Sequence, residues 1–215
     1  MKFLKISILI PVLFTFIAIA AKPVLTIITS AYWSTSMKSI SNDCTMIVGL
    51  IKNSSLKPQQ DVAINLSFNV DGKIEKSLLP GFTEVKIINP GESSPFKVNV
   101  FRKEKCLPYT LNATSKPAKQ LGGRALHIIE SSGQYYAQVF RILGKVKNVT
   151  SKTIHDTQVI CTAFADKNKK ILVGSDKDFP RFGGEIKANE SIDFDVRILD
   201  PKNISQSYTC QTESN

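Results

Sequence analysis

The sequence predicts an all-β protein built from two tandem β-sandwich domains that follow an apolar N-terminal segment. Three observations lead to this prediction. Apolar and polar residues alternate in several short runs, turn-forming residues separate those runs, and the second half of the chain repeats the first. The chain has 215 residues, which is enough for two domains of roughly 100 residues each.

Residues 1–21 have the pattern of a signal peptide. A short basic start (MKFLK) precedes the uncharged run Ile6–Ala21, which ends in the small-x-small sequence Ala18-Ile19-Ala20. This run is shorter than the ~20 apolar residues that a membrane-spanning helix needs, so cleavage at its end is the favoured interpretation. The alternative is an uncleaved signal anchor from Phe3 to Trp33. Both interpretations place the rest of the protein outside the cytoplasm.

An internal repeat organises the remainder of the chain. Gly49–Ser55 (GLIKNSS) matches Gly144–Thr150 (GKVKNVT), 95 residues later. Two further pairs match in the same order at distances of 98 and 99 residues. These pairs are Pro90–Val100 with Ala188–Ile198, and Tyr109–Leu111 with Tyr208–Cys210. Ordered matches with slowly growing distances indicate a tandem duplication.

The repeat divides the chain into repeat one (22–115), a linker (116–123, KPAKQLGG) and repeat two (124–215). Each repeat is predicted to form a small sandwich of the immunoglobulin or fibronectin type III kind, because short alternating strands are separated by turns and no long helical period intervenes. Apolar residues that alternate with polar ones mark the core faces of these strands. They are Val62, Ile64, Leu66, Phe68 and Val70, then Phe96, Val98 and Val100, then Val159, Cys161 and Ala163, then Phe194, Val196 and Ile198.

The repeat also bears on the N-terminal segment. Leu25–Ala31 (LTIITSA) matches Leu126–Ser132 (LHIIESS) at the start of repeat two. If the two segments correspond, Val24–Ser30 is a first β-strand and not part of a membrane helix. This interpretation favours a cleaved signal peptide.

Four cysteines in an extracytoplasmic protein predict disulfide bonds. No C-x-x-C pair is present that would indicate a redox site or a zinc ribbon. Spacing alone leaves three connectivities open. The repeat selects one, since Cys161 and Cys210 occupy the places that Leu66 and Leu111 occupy in repeat one. We therefore predict the pair Cys161–Cys210, which leaves Cys44 with Cys106.

Several segments of repeat two together resemble a known family. They are Leu126–Ser132, Ile142–Asn148, Phe164-Ala165-Asp166 and Asn189-Glu190-Ser191 before Phe194. The most specific is Gly144-x-Val146-x-Asn148, which repeat one keeps as Gly49-x-Ile51-x-Asn53. Repeat two thus resembles the FxLYD-type domain, a small extracytoplasmic β-sandwich module of bacterial and archaeal envelope proteins, and repeat one resembles it more weakly. The resemblance implies a sandwich in the cell envelope and carries over no enzymatic activity and no binding residue.

Half of the chain's asparagines lie in Asn-x-Ser/Thr sequences, which are acceptors for N-glycosylation. They are Asn53, Asn65, Asn112, Asn148, Asn189 and Asn203. All six are predicted in turns, near strand ends or on an outward face, where a glycan would stand in solvent. The alternative is that Asn, Ser and Thr are here only as turn formers.

The net charge of +10 does not predict a nucleic-acid partner. Without Lys2 and Lys5 the charge is +8, and it divides equally between residues 22–115 and 116–215 with the two signs interspersed. The densest basic run, Lys167–Lys170, has no aromatic residues beside it on which bases would stack. A solvated surface with weak attraction to anionic lipid or wall polymer is the better interpretation.

No catalytic residue, cofactor or metal ligand is predicted. His127 and His155 have no nucleophile beside them, and Asp176, Asp178 and Glu185 lack the spacing of a calcium loop, so they are interpreted as exposed loop acids. The loop Gly174–Glu185 has no counterpart in repeat one. It carries the residues that we predict as the contact surface, Phe179, Arg181 and Phe182.

These features together predict a non-enzymatic secreted or cell-envelope protein that acts in adhesion, as a scaffold or in ligand binding. Its partner would be an envelope protein or polymer, and the N-terminal segment would provide any membrane association. Two alternatives remain open. One is an extracytoplasmic enzyme with a site between the domains at Lys116–Arg124, and the other is an accessory subunit of an envelope complex held by an uncleaved N-terminal helix.

Overall fold

The computed structural model describes residues 23–33, 43–70, 72–76, 79–105, 109–180, 184–200 and 202–214. Regular structure in these ranges is entirely β-strand, which confirms the predicted fold class. The strands are β1 (Leu25–Trp33), β2 (Asp43–Asn53), β3 (Gln59–Val70), β4 (Lys73–Lys76), β5 (Gly81–Thr83), β6 (Ile87–Ile88), β7 (Ser93–Lys105), β8 (Tyr109–Pro117), β9 (Leu126–Tyr136), β10 (Val139–Asn148), β11 (Gln158–Phe164), β12 (Leu172–Asp178), β13 (Ser191–Leu199) and β14 (Ser207–Glu213).

The start of the chain is described only from residue 23 onward. The predicted signal peptide or anchor, residues 1–21, therefore lies outside the described residues. Within the described ranges there is no apolar helix of membrane-spanning length. The segment predicted as a first strand, Val24–Ser30, lies almost wholly in β1, which confirms that prediction.

The N-terminal half (residues 23–117) has two antiparallel layers around one core. In one layer β2 lies between β1 and β7, and in the other β3 lies between β4 and β8. The short strand β5 pairs with both β3 and β7 and so joins the layers into one continuous sheet. The buried core residues between the layers are Ile47, Ile51, Val62, Ile64, Leu66, Phe68, Ile88, Phe96, Val98 and Val100.

The C-terminal half (residues 124–214) repeats this strand pairing. Here β10 lies between β9 and β13, and β11 lies between β12 and β14. A tyrosine hydroxyl bridges the layers at the same place in each half, from Tyr109 to Ser30 (2.9 Å) and from Tyr208 to Ser131 (3.1 Å). The core residues of this half are Leu126, Phe140, Ile142, Val146, Ile154, Val159, Cys161, Ala163, Val173, Ile186, Phe194, Val196 and Ile198.

The two halves pack face to face. Val48 on the outer face of the β1–β2–β7 layer is buried against Phe164 and Leu172 on the outer face of the β12–β11–β14 sheet. Strand β11 is therefore buried on both faces. Its inward residues line the C-terminal core as predicted, while Ile160, which alternates to the other face, is 1% exposed because the N-terminal half covers it.

The predicted linker, residues 116–123, is shorter than expected and is held in place. Strand β8 continues through Pro117, so the first two linker residues belong to a strand. Further along, the Gly122 N–H donates to Asn89 Oδ1 (2.8 Å), and the Arg124 guanidinium forms an ion pair with Glu92 (2.6 Å). These contacts fasten the connection between the halves to the N-terminal half.

Candidate functional site

The segment predicted as a contact loop, Gly174–Glu185, is in part a strand. Strand β12 runs through Asp178, so residues 174–178 form regular structure and the loop prediction is wrong for them. Phe179 follows the strand, is 39% exposed and has the Lys177 Nζ atom 5.8 Å from the centre of its ring. Arg181 and Phe182 lie outside the described residues.

The acidic residues of this segment contact other parts of the protein. Asp176 pairs with Lys97 of the N-terminal half (3.6 Å), and Asp178 Oδ2 accepts a hydrogen bond from the Asp195 N–H (2.8 Å). Among the described residues no three His, Cys, Asp or Glu side chains come together in an arrangement that could hold a metal ion. Asp176 and Asp178 therefore have identified protein partners.

A cluster of charges joins the two halves at Glu84. Its carboxylate lies 3.4 Å from Lys97 Nζ in its own half and 2.8 Å from Lys177 Nζ in the other. Burial by itself would raise the pKa of Glu84, but the hydrogen bond from Lys177 and the positive charge of Lys97 outweigh burial, so the pKa lies below its ordinary value. Glu84 is thus ionised while largely buried at the interface.

The interface is expected to weaken when the protein is acidified. A carboxyl whose pKa is lowered on folding stabilises the fold above its ordinary pKa, here 4.5, and loses that contribution as the pH falls through the folded-state value. The melting temperature of the parent should therefore fall more steeply below pH 4.5 than that of Glu84→Gln. Glu75→Gln, on the exposed strand β4, serves as the charge-matched control and should follow the parent. Equal slopes for parent and Glu84→Gln would contradict this role.

A second polar contact lies beside the Glu84 cluster. The buried Glu213 carboxylate of β14 accepts from the Lys86 N–H (2.8 Å) and from the amide of Gln158. The same amide donates to the Glu84 carbonyl oxygen (3.1 Å). These hydrogen bonds tie the turn after β5 to the edge of the C-terminal half.

Two open cavities lie where the N-terminal and C-terminal halves meet. One, of about 280 Å³, lies between the facing sheets and has Leu50, Pro95, Ile160 and Phe164 in its lining. The other, of about 380 Å³, is lined in part by Glu92, Arg124 and His127. Of the segment Lys116–Arg124, predicted for an interdomain site, only Arg124 lines this cavity. Because Glu92 and Arg124 pair with each other, the charges in this groove are mutually neutralised.

The predicted disulfide Cys161–Cys210 is present. The two cysteines are direct cross-strand partners on β11 and β14, with Cα atoms 4.1 Å apart. In the N-terminal half, Leu66 and Leu111 are cross-strand partners in the same way. The disulfide thus replaces an apolar pair that faces the core. Cys106 lies outside the described residues, and with it the predicted pair Cys44–Cys106.

Removing this cross-link should lower stability substantially. The bond joins residues 49 positions apart, and closing a loop of that size typically contributes about 2–4 kcal/mol. We expect Cys161→Ala/Cys210→Ala to lose about 3 kcal/mol in urea unfolding. The single variant Cys161→Ala also lacks the disulfide, with one fewer substitution. Its free energy of unfolding should fall by nearly as much as that of the double variant. A double variant as stable as the parent would contradict the expected contribution of this bond.

Two of the six predicted glycosylation sites are not on the surface. Asn53 and Asn148 are both 0% exposed, so the prediction that their side chains stand in solvent is wrong. Asn148 Nδ2 donates to the carbonyl oxygens of Lys152 (2.8 Å) and Ile186 (3.0 Å). Its Oδ1 accepts from the Thr150 N–H (2.9 Å) and from the Thr150 hydroxyl (2.7 Å).

Asn53 makes the same network 95 residues earlier. It donates to the carbonyl oxygens of Lys57 (2.8 Å) and Ile88 (2.8 Å) and accepts from the Ser55 N–H (3.0 Å) and hydroxyl (2.7 Å). The hydroxyl residue two positions after each asparagine closes a local turn. The Asn-x-Ser/Thr pattern at these two places therefore has a structural cause.

The other four predicted glycosylation sites have exposed side chains. Asn65 and Asn112 face each other as cross-strand partners on β3 and β8. Asn189 and Asn203 lie in turns and have left-handed backbone (φ 63° and 51°). When the Asn203 amide is oriented so that its nitrogen faces the nearby carbonyl oxygens, it donates to the Ala137 carbonyl oxygen (3.0 Å).

A buried polar cluster lies at the far end of the C-terminal half. Asp200 is 1% exposed, and its carboxylate accepts from the Tyr135 hydroxyl (2.6 Å), the Ser205 N–H (2.9 Å) and the Ser205 hydroxyl (2.7 Å). Burial would raise the pKa of Asp200, but these hydrogen bonds prevail and lower it. The sequence did not predict this cluster. Tyr135 and Asp200 are 65 positions apart, so no local sequence motif links them.

The outer face of the β9–β10–β13 sheet carries a second charged group. Asp195 holds two guanidinium groups, with Arg141 Nε at 2.8 Å and an Arg197 terminal nitrogen at 2.6 Å. The hydrogen bond from Arg141, followed by that from Arg197, lowers the pKa of Asp195 to about 2. The arginines lie on the same exposed sheet face, one on β10 and one on β13.

No protein-family model and no curated protein matches the chain.

Proposed function

We propose that this chain is a non-enzymatic, exported protein of the cell envelope in which two FxLYD-type sandwiches act together as one scaffold or binding module. The observation that carries the proposal is the contact between the halves. Val48, Phe164 and Leu172 are buried there, and the Glu84 carboxylate pairs with lysines from both halves. A scaffold requires fixed geometry between its parts, and this contact supplies it.

The disulfide supports an extracytoplasmic location. Disulfides persist in oxidising compartments and are rare in the reducing cytosol. The bond between Cys161 and Cys210 joins strands of one sheet and faces the core. Such a bond suits a small domain whose core alone contributes little stability.

Export is tested with the full chain in intact cells. Protease added outside the cells is expected to degrade the protein, and a maleimide should not react with Cys161 or Cys210 until a reductant is added. N-terminal sequencing of the recovered protein then separates a cleaved signal peptide from an anchor. A chain that resists external protease and has reactive cysteines would overturn the proposed location.

The scaffold role is tested by complementation of a strain that lacks the protein, with survival in detergent as the readout. His127→Ala/His155→Ala removes both histidines and should restore survival. Leu50→Lys/Phe164→Asn should not, because it places at the interface the polar residues Lys145 and Asn69, which stand at the equivalent outward positions of the other repeat. The opposite pattern would favour an enzyme.

A further inference from the structure

The outer face of the β9–β10–β13 sheet ends in an exposed apolar row. Tyr136, Val139 and Leu199 are cross-strand partners on the three strands and so lie side by side on this face. Tyr136 is 77% exposed and Leu199 49%. Ile204, in the turn that follows β13, is 43% exposed and lies at the same end.

The two turns that present this row are tied together. The Asp200 N–H donates to the Gln138 carbonyl oxygen (2.8 Å), which links the β13–β14 turn to the β9–β10 turn. The Asn203 amide and the Tyr135 hydroxyl make further links between the same turns. The apolar side chains are therefore displayed on a fixed frame.

The next row on this face is basic. Arg141 lies directly opposite Arg197, and each is two residues along its strand from the apolar row. Two strand residues span ~7 Å. Asp195 holds both guanidinium groups in place, and the Asp178 carboxylate accepts a hydrogen bond from the Asp195 N–H. The guanidinium groups of Arg141 and Arg197 are more exposed than the Asp195 carboxylate, so the charge that this row presents to solvent is mainly positive. Lys202, exposed in the β13–β14 turn, adds to it.

We propose that this surface, the tip surface (Tyr136, Val139, Leu199, Arg141 and Arg197), docks on an anionic lipid bilayer. Apolar groups of interfacial proteins enter a bilayer by about 5–10 Å, and the spacing of the two rows matches that depth. With the apolar row at the acyl boundary, the arginines reach the lipid phosphates, for which a guanidinium is a bidentate donor. A purely apolar protein groove would desolvate two guanidinium groups that share one carboxylate, Asp195, without supplying a second anion.

The proposal goes beyond the scaffold role and is tested separately. Hydrogen exchange of the full chain is measured with vesicles of phosphatidylcholine alone and with vesicles of equal parts phosphatidylcholine and phosphatidylglycerol. Exchange in residues 134–141 and 197–205 should slow roughly five-fold on the anionic vesicles and hardly change on the neutral ones. Because the readout is local, insertion of residues 1–22 does not mimic it. Strand β3 serves as the internal reference and should not change.

Variants assign the effect to the tip. Tyr136→Ser/Leu199→Ser should abolish the protection, and Arg141→Gln/Arg197→Gln should remove its dependence on salt and on lipid charge. Ile74→Ser/Phe82→Ser, an exposed apolar pair in the N-terminal half, is the matched control and should behave as the parent. Absence of protection on anionic vesicles would overturn the proposal, as would equal protection by neutral vesicles or by inorganic phosphate alone. None of these outcomes depends on the export experiment, so the two proposals fail independently.

Discussion

Replacement of Asn148 by alanine is expected to lower the free energy of unfolding by about 3–4 kcal/mol. The side chain is fully buried and donates to the Lys152 carbonyl oxygen in its own turn and to the Ile186 and Lys187 carbonyl oxygens of another segment. Its removal breaks these hydrogen bonds and leaves the Thr150 N–H without its acceptor, while the Ile186 carbonyl keeps the Ile154 N–H and the Lys152 carbonyl keeps the Thr150 hydroxyl. Each hydrogen bond lost costs about 0.5–1.5 kcal/mol, and an unsatisfied buried donor costs about 1–3 kcal/mol. Asn53→Ala should cost as much, because the same network is present in the N-terminal half.

Urea unfolding monitored by circular dichroism measures this loss. Thr150→Ala removes only the hydroxyl from the network and should cost about 1 kcal/mol. Asn112→Ala, at an exposed Asn-x-Thr site on β8, should change stability by less than about 0.5 kcal/mol. If Asn148→Ala and Asn112→Ala were equally mild, the buried network would not hold the turn.

Gly49→Ala is expected to cost about 3 kcal/mol, the upper range for overpacking a core. A Cβ atom on Gly49 would overlap the ring of Phe96, which is fully buried in the core. Gly144 has the same place in the C-terminal half, and its Cβ would lie 2.6 Å from Phe194 Cζ. The two glycines therefore provide the space that each phenylalanine ring occupies across the sheet.

The two glycines differ in one respect that a double-mutant cycle can detect. At Gly49 the three atoms nearest to the added Cβ all belong to the Phe96 ring, so Phe96→Leu should recover part of the loss caused by Gly49→Ala. At Gly144 the Glu130 carbonyl oxygen also stands in the way, so Phe194→Leu should recover less. Gly72→Ala is the control, because nothing lies near its Cβ and only its left-handed backbone (φ 79°) is strained. Equal recovery in both halves would contradict this difference.

The strands, their inward faces and one disulfide could be predicted from the sequence. Alternation identified Val62, Ile64 and Leu66 because each strand of a sandwich has one face on a core, and burial of that face dominates residue choice. The pairing of Cys161 with Cys210 followed from the repeat, since a cross-strand pair in one half marks a cross-strand pair in the other. Both predictions depend on local pattern or on internal comparison.

The glycosylation predictions at Asn53 and Asn148 failed because the same sequence pattern occurs in two different structural settings. Asn-x-Ser/Thr describes a glycan acceptor and also a buried asparagine whose turn is closed by a hydroxyl. At Asn53 and Asn148 the second meaning holds. The end of β12 was predicted as a loop because the segment Gly174–Glu185 has no counterpart in repeat one, but residues 174–178 are strand. Its Lys177 and Asp176 are polar because their partners, Glu84 and Lys97, lie in the other half of the molecule.

The contact between the halves was missed, although the two repeats differ at the positions that form it. Met46 and Leu50 on β2 correspond to Arg141 and Lys145 on β10. Ile160 and Phe164 on β11 correspond to Asn65 and Asn69 on β3. An outward position that is apolar in one repeat and polar in the other is the expected mark of a surface that is covered only once. Comparison of the repeats at outward positions would have found it.

The two halves contact each other head-to-tail, through different faces of the two sandwiches. The contact uses the β2 layer of one half and the β11 sheet of the other. The corresponding β10 and β3 faces carry exposed residues such as Arg197 and Asn65. Head-to-tail contacts can continue from molecule to molecule and give open filaments. Arg141 and Lys145 on one free face, with Asn65 and Asn69 on the other, are polar, like the outer faces of terminal repeats in solenoid proteins. These side chains disfavour a further sandwich in the same head-to-tail contact, because an apolar face would have to cover polar groups there.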